Sequence, residues 1–254
     1  MEREYAAKYR ELYGRHWWWR ARERFIIERL EDLLPARKDL SILDVGCGDG
    51  LMFEALSRFG RVEGVEIDSS SLSTSSSWLD QIFVGPFDET FDPGTSYDLI
   101  LMLDSLEHFA EPSLALRRAV DILDPRGFIV VTVPAFRQLW THHDDVNAHV
   151  TRFTRSTLRR VVADAGATIV SSLYFFHWLA PVKLALRAKE SLIPPIDGIP
   201  SVPFSWLNRA LFDLSRLEQR SLSRVPVPFG SSLYAVIVRS GDRSGAPVTR
   251  SGAS

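Results

Sequence analysis

Ser41-Ile42-Leu43-Asp44-Val45-Gly46-Cys47-Gly48-Asp49-Gly50 is the stretch whose reading decides the architecture of this chain. An apolar run closes on an acid, and three glycines follow at alternate positions. Such a run reads as a strand buried on both faces of a parallel sheet. The glycines let the chain turn sharply and let a ligand approach bare backbone. Leu51-Met52-Phe53-Glu54-Ala55-Leu56 follows and favours helix. The loop therefore sits between a strand and a helix N-terminus, where α/β sheets bind nucleotide-like ligands. The dinucleotide fingerprint G-x-G-x-x-G requires glycine at position 51, and Leu51 stands there.

The bulk properties narrow the function classes. At 254 residues, 45% of them hydrophobic, the chain has material for one large α/β domain with a lid. Its 30 basic and 32 acidic residues leave a net charge of −2, which gives no general pull toward nucleic acid. The single cysteine, Cys47, forms no intrachain disulfide and fits a reducing, cytoplasmic setting. The polar N-terminus lacks the apolar core of a signal peptide. The longest apolar run, Leu173 to Val182, contains His177 and Pro181 and is too short to span a bilayer.

Outward from the glycine loop, residues 1–38 are expected to form a helical cap. Ile26, Ile27, Leu30, Leu33 and Leu34 share one helical face, and Pro35 ends it. Trp17-Trp18-Trp19 cannot all lie on one face, so one ring is expected to point away from the core. Downstream, Arg61 to Asp68 is a second strand, and Glu66 at its end is placed to take both hydroxyls of a ribose. The Ser/Thr-rich stretch 69–77 predicts a short or frayed helix. Ile82 to Val84, Tyr97 to Asp104 and Phe128 to Pro134 read as strands three to five, with Pro112 opening a helix. Thr154 caps a helix that Gly166 ends, before a sixth strand, Ile169 to Phe175.

"YDLILMLDSLEHFAEP", followed by "LRRAVDILDPRGFIVVTVP", joins the glycine loop and Glu66 in a set that resembles the class I S-adenosylmethionine-dependent methyltransferases. The resemblance covers about residues 40–170 and is closest to the small-molecule branch, which includes the ubiquinone-biosynthesis O-methyltransferases and secondary-metabolism enzymes. It implies a Rossmann-like α/β fold: a seven-stranded sheet, mostly parallel with an antiparallel last strand, and helices on both faces. It also implies S-adenosyl-L-methionine as cofactor. Asp44, Gly46, Cys47 and Gly48 would face its methionine part, Glu66 and Ile67 its ribose, Pro86 and Phe87 its adenine, and Asp104 its ammonium group.

In that family the seventh strand closely follows the sixth. Here Leu233 to Val238 arrives only after an insertion at 176–230 carrying two amphipathic stretches. The domain core is thus 39–175 with 231–239, and 240–254 is a tail expected to be disordered. The insertion is expected to form a helical lid with the tryptophan segment, or a peripheral membrane contact.

Methyl transfer to a hydroxyl, phenol or ammonium acceptor requires a base. His108 is the first candidate, with His149 and His143 behind it. No zinc-type spacing joins His142, His143, Asp144 and His149, and no metal is expected. Asp104, Glu107 and His108 do resemble an acid-x-x-Glu-His cluster that binds a divalent ion in some ubiquinone-pathway O-methyltransferases. The chain lacks an Asn-Pro-Pro-Tyr or Asp-Pro-Pro-Tyr segment after strand four, which argues against amide or adenine methylation. The expected acceptor is a partly apolar small molecule, not a nucleic acid. Two rivals stand beside this reading: a cofactor-binding module without transfer, and an NAD-dependent oxidoreductase, disfavoured by Leu51.

Overall fold

The computed structural model describes residues 3–35, 37–74, 76–193, 201–222 and 225–241. In chain order the helices are α1 (Arg3–Arg15), α2 (Trp17–Leu33), α3 (Phe53–Leu56), α4 (Pro112–Asp121), α5 (His142–Val146), α6 (Arg155–Asp164), α7 (Leu179–Glu190) and α8 (Ser205–Leu222). The strands are β1 (Leu40–Val45), β2 (Gly60–Glu66), β3 (Ile82–Val84), β4 (Tyr97–Leu103), β5 (Leu123–Pro134), β6 (Ala167–Phe175) and β7 (Ser232–Arg239). The tail from residue 242 and the prolines Pro194, Pro195 and Pro200 lie outside the described residues.

The seven strands form one sheet in the order β3-β2-β1-β4-β5-β7-β6. The pairs β1–β2, β1–β4, β2–β3 and β4–β5 are parallel, and β7 runs antiparallel to both β5 and β6. The chain reverses its winding direction between β1 and β4. In open α/β sheets the crevice at the carboxyl ends of such strands is where ligands bind.

Each face of the sheet buries its own cluster. On one side Leu116, Ala119 and Val120 of α4 and Leu158 and Val162 of α6 pack against Ile100, Met102, Val131 and Ala235. On the other, Phe25, Ile26 and Leu30 of α2 pack with Phe53, Leu101, Val130 and Val236. The near-continuous apolar runs along the central strands match this, since both faces of β4 and β5 are covered.

The N-terminal cap is two helices rather than one. His16 interrupts it in an extended conformation, and its Nδ1 accepts from Trp18 N at 3.2 Å as an N-cap. Asn208 of α8 bridges the break: its Oδ1 accepts from Trp17 N and its Nδ2 donates to Arg15 O. Of the three tryptophans, Trp17 and Trp19 are buried, while Trp18 is half-buried, stacked on Phe176 and within reach of the Arg22 guanidinium. Among its described residues the serine stretch forms a single 3-10 turn, Ser69–Ser71, capped by Asp68.

The insertion divides into two parts. α8 lies along α2, burying Ser215, Arg216 and Gln219, with Leu211 and Phe212 against the core. α7 rests on the 3-10 turn Arg137–Leu139 that follows β5, and buries only Ala180 of its own side chains. Trp178 ties the two together, donating to Ser215 and Glu218 of α8.

Candidate active site

The glycine loop leaves β1 with Gly46, Gly48 and Gly50 all at positive φ (77°, 54° and 72°). A side chain on Gly46 would collide with Ser105, at the end of β4, so the loop hugs the switch point between the strands. A Cβ on Gly48 would meet no protein atom within 4 Å. That position faces outward, where a ligand can lie against bare backbone. Cys47 turns its thiol into the core, so only its backbone faces the loop, and burial pushes that thiol up. Asp44 is buried below the loop, and burial pushes its carboxyl up to about 7, opposed by Arg22 and reinforced by Glu66.

Glu66 closes the frame from β2. One carboxylate oxygen accepts from Gly48 N at 2.9 Å and the other from Asp68 N at 2.9 Å. Each oxygen keeps a second lone pair, so a vicinal diol can still be accepted. Ile67, Phe83, Val84 and Pro86 are exposed at the ends of β2 and β3. Phe87 instead turns inward and packs against Phe91 with ring centroids 5.6 Å apart. These residues fit a nucleoside: a diol acceptor, a bare backbone and an apolar flank.

The cluster at the end of β4 is built by residues that sequence reading divides. Asp104 has φ +53°, and its Oδ2 lies 2.5 Å from Arg22 Nε. Thr132 of β5 donates to Asp104 Oδ1 and accepts from Arg22 Nη2, both at 3.3 Å. Arg22 escaped the sequence reading because it carries no motif. A buried arginine on an otherwise apolar helix face is the only signal it left. Asp49 is a second omission; it accepts from Arg10 and from Ser73 N, pinning α1 and the serine stretch to the loop.

A second cluster forms where the loop after β5 folds back. Val150 N donates to Glu107 O and His149 N to Asp144 O, which sets the His149 ring beside Glu107. His149 Nδ1 lies 2.8 Å from Asp144 Oδ1, and its Nε2 lies 3.9 Å from Glu107 Oε1. Asp144 is itself gripped by Arg152 through both carboxylate oxygens, at 2.8 and 2.9 Å. Burial works against its ionisation, but bonds from His149 and Arg152 hold its carboxyl below the ordinary range. His108 is exposed, with its ring edge-on to His149 at 4.9 Å. His143 is exposed too, and contacts Asn147. Lys183 of α7 joins from above. Burial and Arg152 lower its ammonium to about 8, opposed by Asp144 and Asp104.

Among the described residues, the non-glycine positions with positive φ are Asp104, Phe136, Ala148 and Phe176. They follow β4, β5 and β6 or directly precede His149. Each costs on the order of 1 kcal/mol, and such strain concentrates where a site is held in one geometry.

Glu107 is fully buried, with neither oxygen hydrogen-bonded. Burial, and then the neighbouring Asp104, raise its carboxyl well above the ordinary range. The folded chain thus keeps a proton that the unfolded chain releases, so this group lowers stability as pH rises past the ordinary carboxylate range. E107Q is expected to be more stable than the parent by on the order of 1 kcal/mol at pH 8, with the difference vanishing near pH 4. Urea denaturation at the two pH values checks this; parallel pH profiles for the two proteins would show Glu107 ionised in the fold.

A glycine loop after β1, an acid closing β2 and this strand order define a class of cofactor-dependent transferase. The family described as "Methyltransferase domain" matches residues 18–172, and the chain belongs to it, among the class I S-adenosylmethionine-dependent methyltransferases. The ubiquinone biosynthesis O-methyltransferase of Azorhizobium caulinodans is 32% identical over 149 residues, which are 56% of this chain and 49% of that protein. This chain thus spans about half the length of that relative. The protein of the same name in Xanthomonas oryzae pv. oryzae is 24% identical over 216 residues, 78% of this chain and 81% of that one. Among solved structures, a Haloferax volcanii methyltransferase in complex with the Trm112 methyltransferase activator superposes with a TM-score of 0.59. It is 19% identical and covers 92% of this chain and 94% of that one, a likeness of fold.

Proposed function

We propose that this chain transfers the methyl group of S-adenosylmethionine to an oxygen or nitrogen of a partly apolar small molecule, with His149 as the base. One observation carries the reading. The Asp144–His149 pair stands beside Glu107, the near neighbour of Asp104, so the proton acceptor adjoins the methionine end of the cofactor frame. When bound, the cofactor supplies an activated sulfonium methyl. Gly46 and Gly48 would lie along its methionine part, Glu66 would take the ribose hydroxyls, and Asp104 the ammonium. The Arg22 guanidinium beside Asp104 would face the carboxylate.

With Nδ1–H donated to Asp144, the free lone pair of His149 is on Nε2. Nε2 would take the proton from the acceptor's oxygen or nitrogen, leaving the acceptor's own lone pair free for the methyl group that the bound cofactor would supply. α7 lies beside this space through Lys183 and helps exclude water.

Calorimetric titration with S-adenosylmethionine tests the frame. Glu66→Ala is expected to weaken binding by about 1–3 kcal/mol through loss of charge-assisted hydrogen bonds. Unchanged affinity would remove Glu66 from the site. Methyl transfer to catechol and quinol test acceptors separates the enzyme from a binding module, since binding without turnover supports only the latter.

A metal-assisted O-methyltransferase is the second reading, favoured by one observation. Ligand atoms of Glu107, His108 and His149 lie within 4.8 Å of one another. The burial of Glu107 opposes it, because both carboxylate oxygens are closed off from an entering ion. Turnover is expected to survive EDTA unchanged. Loss with chelator and recovery with magnesium would establish the metal-assisted reading instead.

A further inference from the structure

The insertion leaves large apolar side chains in solvent beside the site. Leu192 and Ile193, just past α7, are 83% and 58% exposed, and Phe204 and Trp206, at the start of α8, are 79% and 71% exposed. Leu186 on α7 and Leu217 on α8 are exposed as well. Helix amphipathicity normally directs such residues inward. On α8 the inward face is already satisfied by α2, so Trp206 and Leu217, three turns apart on the other face, have nothing to cover them.

Charge discriminates between occupants. Residues 176–230 carry seven basic and four acidic side chains, whereas the rest of the chain carries 23 basic and 28 acidic. The stretch that holds these exposed apolar groups thus carries a net charge of +3 in a protein whose net charge is −2. A second copy docking symmetrically would set this basic surface against itself. An anionic surface would not repel it, and aromatic side chains between cations suit the headgroup boundary of a bilayer. Among the described residues no helix is long and apolar enough to cross a membrane. Contact would therefore be interfacial.

We propose that α7 and the start of α8 dock this protein onto an anionic lipid bilayer. Lys183 of α7 is within electrostatic reach of Asp144 and Asp104, while Leu184, Leu186 and Lys189 of the same helix are exposed. A docked molecule would hold the acceptor side of its site at the membrane surface, where an apolar acceptor partitions. This purpose rests on the apolar-acceptor reading above, but the docking itself does not.

Sedimentation of the full chain with vesicles tests it. Phosphatidylcholine vesicles containing about one third phosphatidylglycerol are expected to bind at least about tenfold more tightly than phosphatidylcholine alone, with binding falling as salt rises. Removing one interfacial cation by Lys189→Gln should weaken binding about fivefold at low salt. The Phe204→Ser/Trp206→Ser double variant should lose at least about tenfold. Lipid-free titration with S-adenosylmethionine checks that each variant is folded and tests the cofactor reading separately. If the double variant fails that check, Leu217→Gln takes its place. No vesicle binding, equal binding to both compositions, or binding unchanged in the variants would overturn the proposal. So would a dimer in light scattering that the double variant dissolves, because the face would then belong to a second copy.

Discussion

His149→Gln is expected to lower kcat by about 10²–10⁴-fold while leaving S-adenosylmethionine affinity unchanged, the range for loss of a positioned general base. His149 is the histidine whose ring is oriented by a buried carboxylate, and that carboxylate is fixed by Arg152 through two bonds. An imidazole so held presents its basic nitrogen in one direction, the arrangement shared by nucleophile-activating sites on unrelated folds. His108 is bonded to the backbone of Ala148 rather than to a fixed carboxylate, and His108→Gln should cost less than His149→Gln. Single-turnover measurements with saturating cofactor separate the chemical step from binding. If His108→Gln proves the more damaging, the base has been misassigned. If both variants keep full turnover, the acceptor reacts without a protein base, as an already ionised phenolate would.

Gly48→Val should reduce cofactor affinity by at least about 100-fold, equivalent to roughly 3 kcal/mol. Two effects combine. The added side chain projects into the open side of the loop, and a β-branched residue is strained at φ +54°. Gly94 provides the control. It has φ +64°, a Cβ there would also meet nothing within 4 Å, and it lies in the turn before β4. Gly94→Val carries similar strain without approaching the loop. Calorimetric titration should therefore find normal affinity in Gly94→Val and almost none in Gly48→Val. Equal losses in both would mean that backbone strain, not occlusion, governs binding.

Much of the frame was legible because its determinants are local. The strand–glycine loop–helix order, the acid closing β2, Pro112 at a helix start and the Thr154 to Gly166 caps each express chemistry within a few residues. The serine stretch, too weak a helix former, gave one 3-10 turn. His16 was less legible. A break between two helices depends on Asn208, which reaches it from α8.

The sequence by itself determined the sheet, the place of the cofactor loop and the types of residue at each strand end. Period-two and period-3.6 patterning and turn chemistry act along the chain, and they suffice for those features. The tertiary structure decided which of those residues work together. Arg22 meets Thr132 across 110 residues of chain, and His149 meets the buried Asp144, itself bonded to Arg152, where a loop folds back. It also decided how the insertion packs, since α8 lies along α2 while α7 rests on the turn Arg137–Leu139. Hydrogen bonds and ion pairs depend on distances in space of about 3 Å, and no spacing in sequence encodes them.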